Sequence, residues 1–283
     1  MRNTRGILRL LALLTLLFSL TGCPGVRYAE VDEELGQVSW ANMQDLSVKG
    51  LKGAGPYNAS LSFRLKTPSE GFMLGAYVWS NGRARSHHPL RLDLQSSVGS
   101  TVAKIKEEDD HFLLYDLKNN AAVISKNPQE ALATIGLPLP FSLADISLLL
   151  NGRYLDFFTG GDNTRPELSA TTEEQRSVFK LASGPRKGWL TLNSRGYPVE
   201  WRSDDEKKGW SMEIAYQDVA ALVANVTPLP GPSRLNLSHP DGYAISINVK
   251  SLKKFPTPFT PAQLELLIPS SAEVREISEQ QGK

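Results

Sequence analysis

From Ser47 onwards, the chain repeatedly alternates apolar and polar side chains with a period of two residues. Neighbouring side chains of a strand point to opposite faces, so this pattern predicts strands with one dry and one wet face. Connections such as Asn81-Gly82, Ser97–Ser100 and Asp241-Gly242 suit hairpins. The sequence therefore predicts a mainly β protein built on one large antiparallel sheet with a single apolar face. The apolar series are Leu61-Phe63-Leu65, Leu90-Leu92-Leu94, Tyr197-Val199-Trp201, Trp210-Met212-Ile214-Tyr216, Leu235-Leu237 and Tyr243-Ile245-Ile247-Val249.

Two short helices interrupt the predicted sheet. The first spans 128–135 and begins with proline after Asn127, an N-cap residue. The second spans 143–150, and Ser142 opens it with a pattern that resembles a capping box. We expect both helices to cover the dry face of a curled sheet, which gives an open half-barrel with helical lids. Residues 159–175 are polar and are expected to form a long surface loop.

The N-terminal 22 residues are typical of an export signal. Three arginines occur in the first nine residues, and the apolar run Leu10–Leu20 follows them. That run is too short to cross a bilayer core of about 30 Å, which needs roughly 20 apolar residues. The run ends in Leu-Thr-Gly-Cys, which resembles the bacterial lipobox with Cys23 as its lipidated cysteine. The sequence therefore predicts cleavage after residue 22 and a lipid anchor.

Cys23 is the only cysteine in the chain. A lone thiol forms no internal disulfide and cannot supply a zinc cluster. Lipidation accounts for it, and the alternative is an ordinary signal peptide followed by an unrelated cysteine. We expect 23–45 to be a lipidated tether and 46–283 to be one domain with a C-terminal extension from about residue 255. The expected location is the cell envelope, at the periplasmic face of the outer membrane.

The charge balance excludes one class of partner. The leader holds three of the 31 basic residues and none of the 30 acidic ones, so the mature part has a formal net charge of −2. Nucleic acid demands a basic surface, so we expect none to bind.

Motifs that carry chemistry are weak in this sequence. The adjacent His87-His88 is interpreted as a solvated turn, and no GxSxG elbow is present. The glycine-rich stretch 50–55 is interpreted as a flexible loop and the acidic run 107–110 as a solvated hairpin tip. The sequence therefore predicts no enzyme, no metal and no cofactor.

Six segments agree in order and spacing with one known family, and in chain order they are Leu92–Thr101, Asn127–Leu132, Gly136–Pro140, Leu150-Asn151-Gly152, Gly209–Tyr216 and Pro232–Leu237. Together they resemble the LolB family of outer-membrane lipoprotein receptors, over roughly Leu46 to Leu252. The chain departs from the family at Leu148, where a tryptophan is usual, and in a long insertion near 156–178. Its C-terminal stretch Leu264–Ile277 looks more like the closing strand of the soluble carrier LolA.

The resemblance implies a monomeric, membrane-anchored protein that binds acyl chains of triacylated lipoproteins and receives them from a periplasmic LolA-like carrier. Two alternatives stay open: a LolA-like carrier of another lipid, and a structural envelope lipoprotein that binds a protein partner. An apolar face also fits a plainly filled core, since core and cavity linings have the same pattern. The predicted cavity lining is Phe63, Leu65, Leu92, Leu94, Ile135, Leu143, Ile146, Leu149, Trp201, Trp210, Met212 and Ile214.

Val98 lies in the turn Ser96–Ser100 among polar residues and glycine. From the residues alone, a valine here either folds back on its own hairpin or projects into solvent. The resemblance implies the second arrangement, with Val98 on a protruding loop that enters the membrane and helps insert the cargo.

Overall fold

The computed structural model describes residues 28–29, 31–82, 89–108, 111–205, 209–217 and 231–277. These residues form fifteen strands in a single sheet, together with five helices. The strands are β1 (Tyr28–Ala29), β2 (Tyr57–Lys66), β3 (Gly71–Ser80), β4 (Leu90–Gln95), β5 (Thr101–Glu107), β6 (Phe112–Asp116), β7 (Ala121–Ser125), β8 (Glu167–Thr172), β9 (Ser177–Leu181), β10 (Gly188–Leu192), β11 (Pro198–Arg202), β12 (Ser211–Ala215), β13 (Arg234–Ser238), β14 (Ala244–Lys254) and β15 (Glu273–Ile277). The helices are α1 (Glu33–Gly53), α2 (Pro128–Thr134), α3 (Leu143–Leu150), α4 (Tyr154–Thr159) and α5 (Pro261–Leu264).

The sheet consists of two meanders. Strands β2 to β7 form the first wing and strands β8 to β14 form the second, and the wings join where β14 pairs with β2. Over the described residues the sheet stays open, because its outermost strands β1 and β15 do not pair with each other. The chain between the wings carries α2, α3 and α4, which we call the lid. The predicted half-barrel fold, mainly β with helical lids, is confirmed.

Alternation along the strands decides which face is dry. In β2 the side chains of Leu61, Phe63 and Leu65 are buried, whereas those between them are half-buried or exposed. Strand β4 buries Leu90, Leu92 and Leu94 in the same way. These residues share one face with the buried side chains of the second wing, and all belong to one hydrophobic cluster. The dry faces of both wings therefore enclose a common apolar interior.

The two predicted helices are present with the predicted caps. The side chain of Asn127 accepts hydrogen bonds from the backbone at the start of α2. Ser142 and Asp145 form a reciprocal capping box at the start of α3. The expected loop at 159–175 is partly wrong, since β8 lies within it and pairs with β9 and β1. Only one large apolar side chain, Leu168, occurs in β8, too few to display an alternating pattern.

Helix α1 corrects the prediction of a tether over 23–45 and of a domain that starts at 46. It runs from Glu33 to Gly53, so most of the glycine-rich stretch 50–55 is also its last turn and not a flexible loop. Trp40 and Met43 are buried, and α1 contacts α4 and strands β8 to β10. The rest of its buried face is small: Gly36, Ser39 and Ser47. Because these residues are small or polar, α1 has no regular apolar stripe in the sequence, and the helix was therefore not predicted.

The extension from about residue 255 crosses the outer surface of the first wing. Arg91 donates hydrogen bonds to backbone carbonyls of Gln263 and Glu265, and the Lys106 ammonium lies 3.0 Å from the Glu265 carboxylate. The segment then adds β15 to the sheet edge, parallel to β7. This one parallel pair departs from the predicted all-antiparallel sheet. Before β15, the extension crosses back to the end of the first wing where β7 begins. Strand β15 therefore runs in the same direction as β7.

Candidate functional site in the helix-covered interior

The candidate site is the apolar interior between the two wings and the lid. All twelve residues predicted as cavity lining belong to its single hydrophobic cluster. Ten of them are buried, and Ile135 and Trp210 are half-buried against the cluster. Trp210 also lines a cleft of about 330 Å³ at the strand ends, beside Trp189 and His239. The structure thus brings the predicted set together, while its role as an acyl-chain lining stays a prediction.

The lid contributes aromatic residues that the sequence analysis did not assign to the site. Phe157 and Phe158 of α4 are fully buried, and Phe157 packs edge-on against Phe141 with ring centroids 5.2 Å apart. Both lie in the stretch that the sequence analysis interpreted as an insertion. The aromatic residues there were a signal that could have assigned it to the apolar interior. Leu148, at the position where the resembling family has tryptophan, is also buried. The lid is therefore as apolar on its inner side as the sheet it covers.

Three buried side-chain atoms lack a hydrogen-bond partner among the described residues: the Tyr154 hydroxyl, Arg186 Nε and the indole Nε1 of Trp201. Trp201 lies on β11 between Leu190 and Met212 of the neighbouring strands, and its ring centroid is 6.2 Å from that of Phe141. An unpaired buried N–H costs about 1–3 kcal/mol. The interior therefore holds an available donor directed into an apolar environment.

The start of α3 is bound to the first wing through Glu107. This residue ends β5, and its Oε2 accepts hydrogen bonds from the backbone N–H groups of Leu143 (2.7 Å) and Ala144 (3.3 Å). The side chain is only 8% exposed, and burial raises the pKa of Glu107 to about 7. The interpretation of 107–110 as a solvated tip is therefore wrong for Glu107. Asp109 and Asp110 lie outside the described residues.

The same helix start is bound to the second wing through Arg186. This residue lies in the connection between β9 and β10, and its Nη2 is 2.5 Å from a carboxylate oxygen of Asp145. Its guanidinium also lies over the rings of Phe141 and Phe157, 4.8 and 4.9 Å from their centroids. Arg186 thus stacks on two aromatic rings while it pairs with an acid. The first turn of α3 is consequently held from both sides of the open sheet.

Val98 projects from the hairpin between β4 and β5. Its side chain is 87% exposed, so it does not fold back on its own hairpin. The backbone N–H of Ser96 donates to the carbonyl of Ser100, and Gly99 adopts a left-handed conformation with φ of 86° that closes the turn. The structure therefore presents an apolar side chain to the surroundings. Its role at a membrane stays a prediction.

The remaining predicted features give no second site. Cys23, His87 and His88 lie outside the described residues. In the part of the chain that the structure describes, no three histidine, cysteine or acidic residues are grouped to hold a metal ion. No helix there has the length and apolar character to cross a bilayer.

The fold and site together define an open half-barrel with a covered apolar interior. No protein-family model and no curated protein sequence matches the chain. Among solved structures, the LolA superfamily protein NE2245 from Nitrosomonas europaea is similar with a TM-score of 0.48 at 10% identity, over 76% of this chain and 94% of that one. A DUF1329 family protein from Desulfovibrio piger has a TM-score of 0.47 at 9% identity, over 84% and 98% of the two chains. An outer membrane lipoprotein-sorting protein domain from Vibrio parahaemolyticus has a TM-score of 0.44 at 11% identity, over 81% and 97%.

Proposed function

We propose that this protein is anchored to the bacterial outer membrane by lipid on Cys23, binds acyl chains of lipoproteins beneath the lid, and helps insert them into the membrane. One observation carries the proposal. Both wings and the three lid helices contribute buried side chains to one continuous apolar interior. The proposed activity is binding and transfer, for which no catalytic residue is required.

Such an interior matches the physical problem that a lipoprotein poses. Its acyl chains cost tens of kcal/mol in water, at about 0.8 kcal/mol for each exposed CH₂. An apolar surface of this size accepts chains without directional bonds, so one site serves many cargo proteins. The lid residues Leu143, Ile146 and Leu149 pack into the interior, and bound acyl chains would take their place with apolar contacts of the same kind.

The lid is well suited to move. Helix α3 has eight residues and α4 has six, and helices this short are marginal in water without tertiary contacts. Their position therefore depends on the packing of their apolar side and on a few polar contacts. Glu107 and Arg186 hold the start of α3. The Tyr57 hydroxyl also donates to Ser147 of α3, and the Leu155 backbone N–H of α4 donates to the Ser47 hydroxyl. A change in the packing or in these contacts is expected to open the interior.

Displacement of a fluorescent fatty acid tests the proposal. We expect the protein to bind 12-(9-anthroyloxy)stearate and a purified triacylated lipoprotein to displace it. The same lipoprotein with its lipidated N-terminal segment removed is the control and is expected to displace nothing. If the probe does not bind, or if both forms displace it equally, the interior is a filled core and the proposal fails.

The unpaired N–H of Trp201 leads to a prediction about the polar part of the ligand. We expect this group to donate to an ester carbonyl of the acylated glyceryl unit. Trp201→Phe removes the donor, so affinity for a diacylglyceryl lipid should fall about fivefold, the equivalent of one hydrogen bond of about 1 kcal/mol. Affinity for a plain hydrocarbon chain should change much less.

Isothermal titration with both ligands measures this difference. Trp79→Phe is the matched control, because Trp79 lies on the outer side of β3 and should leave both affinities unchanged. Equal weakening for the two ligands would mean that Trp201 only packs, with no polar contact to the cargo.

A further inference from the structure

The start of α3 is held by two chemically different contacts. On one side the Glu107 carboxylate accepts two backbone N–H groups of α3, and on the other the Arg186 guanidinium pairs with Asp145. Glu107 belongs to the first wing and Arg186 to the second. The start of α3 is thus the point where the two wings are connected across the mouth of the half-barrel.

We propose that Glu107 is the gating group of the lid: its protonated form favours the closed position of α3, and its ionised form favours release. The inference rests on the proposed function, because an opening lid matters if acyl chains enter beneath it. It goes further by assigning the control of entry to one titratable side chain. Arg186 supplies the second contact at the start of α3, an ion pair with Asp145.

The direction of the gate follows from burial. Two N–H donors and the positive end of α3 favour a carboxylate, but loss of solvent outweighs them and raises the pKa of Glu107 from 4.5 to about 7 in the closed structure. Once α3 moves away, the carboxyl group is solvated and its pKa returns towards the ordinary value. The closed state therefore binds the proton more tightly, so acid favours closure and rising pH favours opening.

The size of the effect follows from the same two states. With a pKa of about 7 when closed and about 4.5 when open, the closed-to-open ratio falls about tenfold between pH 6 and pH 8. This range spans the neutral region, in which an ordinary carboxyl group does not titrate. While the closed state stays in excess, the open fraction rises by the same factor of about ten.

The charged groups around Glu107 support this direction. Asp145 of α3 is the nearby acid and disfavours a second negative charge, although it is itself paired with Arg186. On the same strand Lys106 faces the outer surface, where it pairs with Glu108 and with the C-terminal extension. The residues opposite Glu107 on β4 and β6 are apolar. The described surroundings therefore place no cation in direct contact with the Glu107 carboxylate.

Binding of 1-anilinonaphthalene-8-sulfonate tests the gate, because this probe reports access to apolar surface and its sulfonate does not titrate in the range used. With the mature lipidated protein in mild detergent, we expect the affinity for the probe to rise about tenfold from pH 6 to pH 8. Glu107→Gln keeps an acceptor for Leu143 but has no charge, so its affinity should stay at the low level of the acid form. Glu107→Ala leaves that N–H unpaired and should bind strongly at every pH. Glu108→Gln, the neighbouring acid outside the lid contact, should keep the wild-type profile.

Titration of the Glu107 carboxyl group tests the gate without relying on any variant. Carbon-13 NMR of the Glu107 carboxyl in the unsubstituted protein should show a midpoint near 7. A midpoint near 4.5, or the same pH profile for the probe in wild type and Glu107→Gln, overturns the gate. Displacement of the probe by triacylated lipoprotein is scored separately. A pH-dependent lid that no lipoprotein competes with would refute the proposed function and leave the gate standing.

Discussion

Cys23→Ser is expected to abolish acylation and to leave either an uncleaved precursor or a soluble periplasmic form without a lipid anchor. A serine hydroxyl does not form the thioether to diacylglycerol, and no other cysteine can replace it. Three acyl chains hold a protein far more firmly than the marginal attachment that one chain gives. The loss should therefore be close to complete.

Labelling with an alkyne analogue of palmitate and partitioning into Triton X-114 measure both effects. Gly25→Ala, two residues further along, is the matched control and should partition like the wild type. Normal labelling of the serine variant in the detergent phase would show that the anchor lies elsewhere, and the envelope location would lose its basis.

Val98→Glu is expected to block delivery of cargo to the membrane and to leave cargo binding intact. The side chain is 87% exposed, so the substitution should not affect folding. A carboxylate at the tip of the hairpin opposes entry into the bilayer, and we expect transfer to slow at least tenfold, about 1.4 kcal/mol or more. Val98→Leu adds one methylene, worth about 0.8 kcal/mol in an apolar environment, and should be neutral or slightly faster.

Reconstituted transfer to liposomes, with binding scored separately, measures this effect. Leu267→Glu is the control, since Leu267 is 83% exposed but lies in the C-terminal extension, away from the hairpin. Transfer at the normal rate by Val98→Glu would remove the membrane-insertion role from this residue. Equal losses for both variants would show that any added negative charge slows transfer, with no special role for the hairpin.

The sheet was predictable because its two faces differ so sharply. Alternation such as that of Leu61, Phe63 and Leu65 is a local property of each strand, and the caps of α2 and α3 are local too. The order of the strands within a meander follows from short hairpins. The dry face, and the twelve residues that lie on it or on the helices that cover it, could therefore be predicted from the sequence.

What the sequence did not show depends on contacts between distant residues. Helix α1 buries Gly36 against Leu168, where a Cβ would lie 2.5 Å from the leucine side chain, and no helical stripe indicates such a packing. Glu107 is part of an acidic run, yet the curvature of the sheet carries it beneath a helix that begins 36 residues later. Arg186 reaches the same helix from the other wing. Each of these contacts exists only once both wings have curled.

The most direct test of the account is the content of the interior in protein taken from cells. The body without its lipid anchor is purified from the periplasm under native conditions, and native mass spectrometry identifies what stays bound. The account predicts acylated lipid or lipoprotein at close to one copy per protein, released by an excess of competing fatty acid. A protein that is always recovered empty, and that excludes added acyl chains at every pH, would contradict it and leave the apolar face as a filled core.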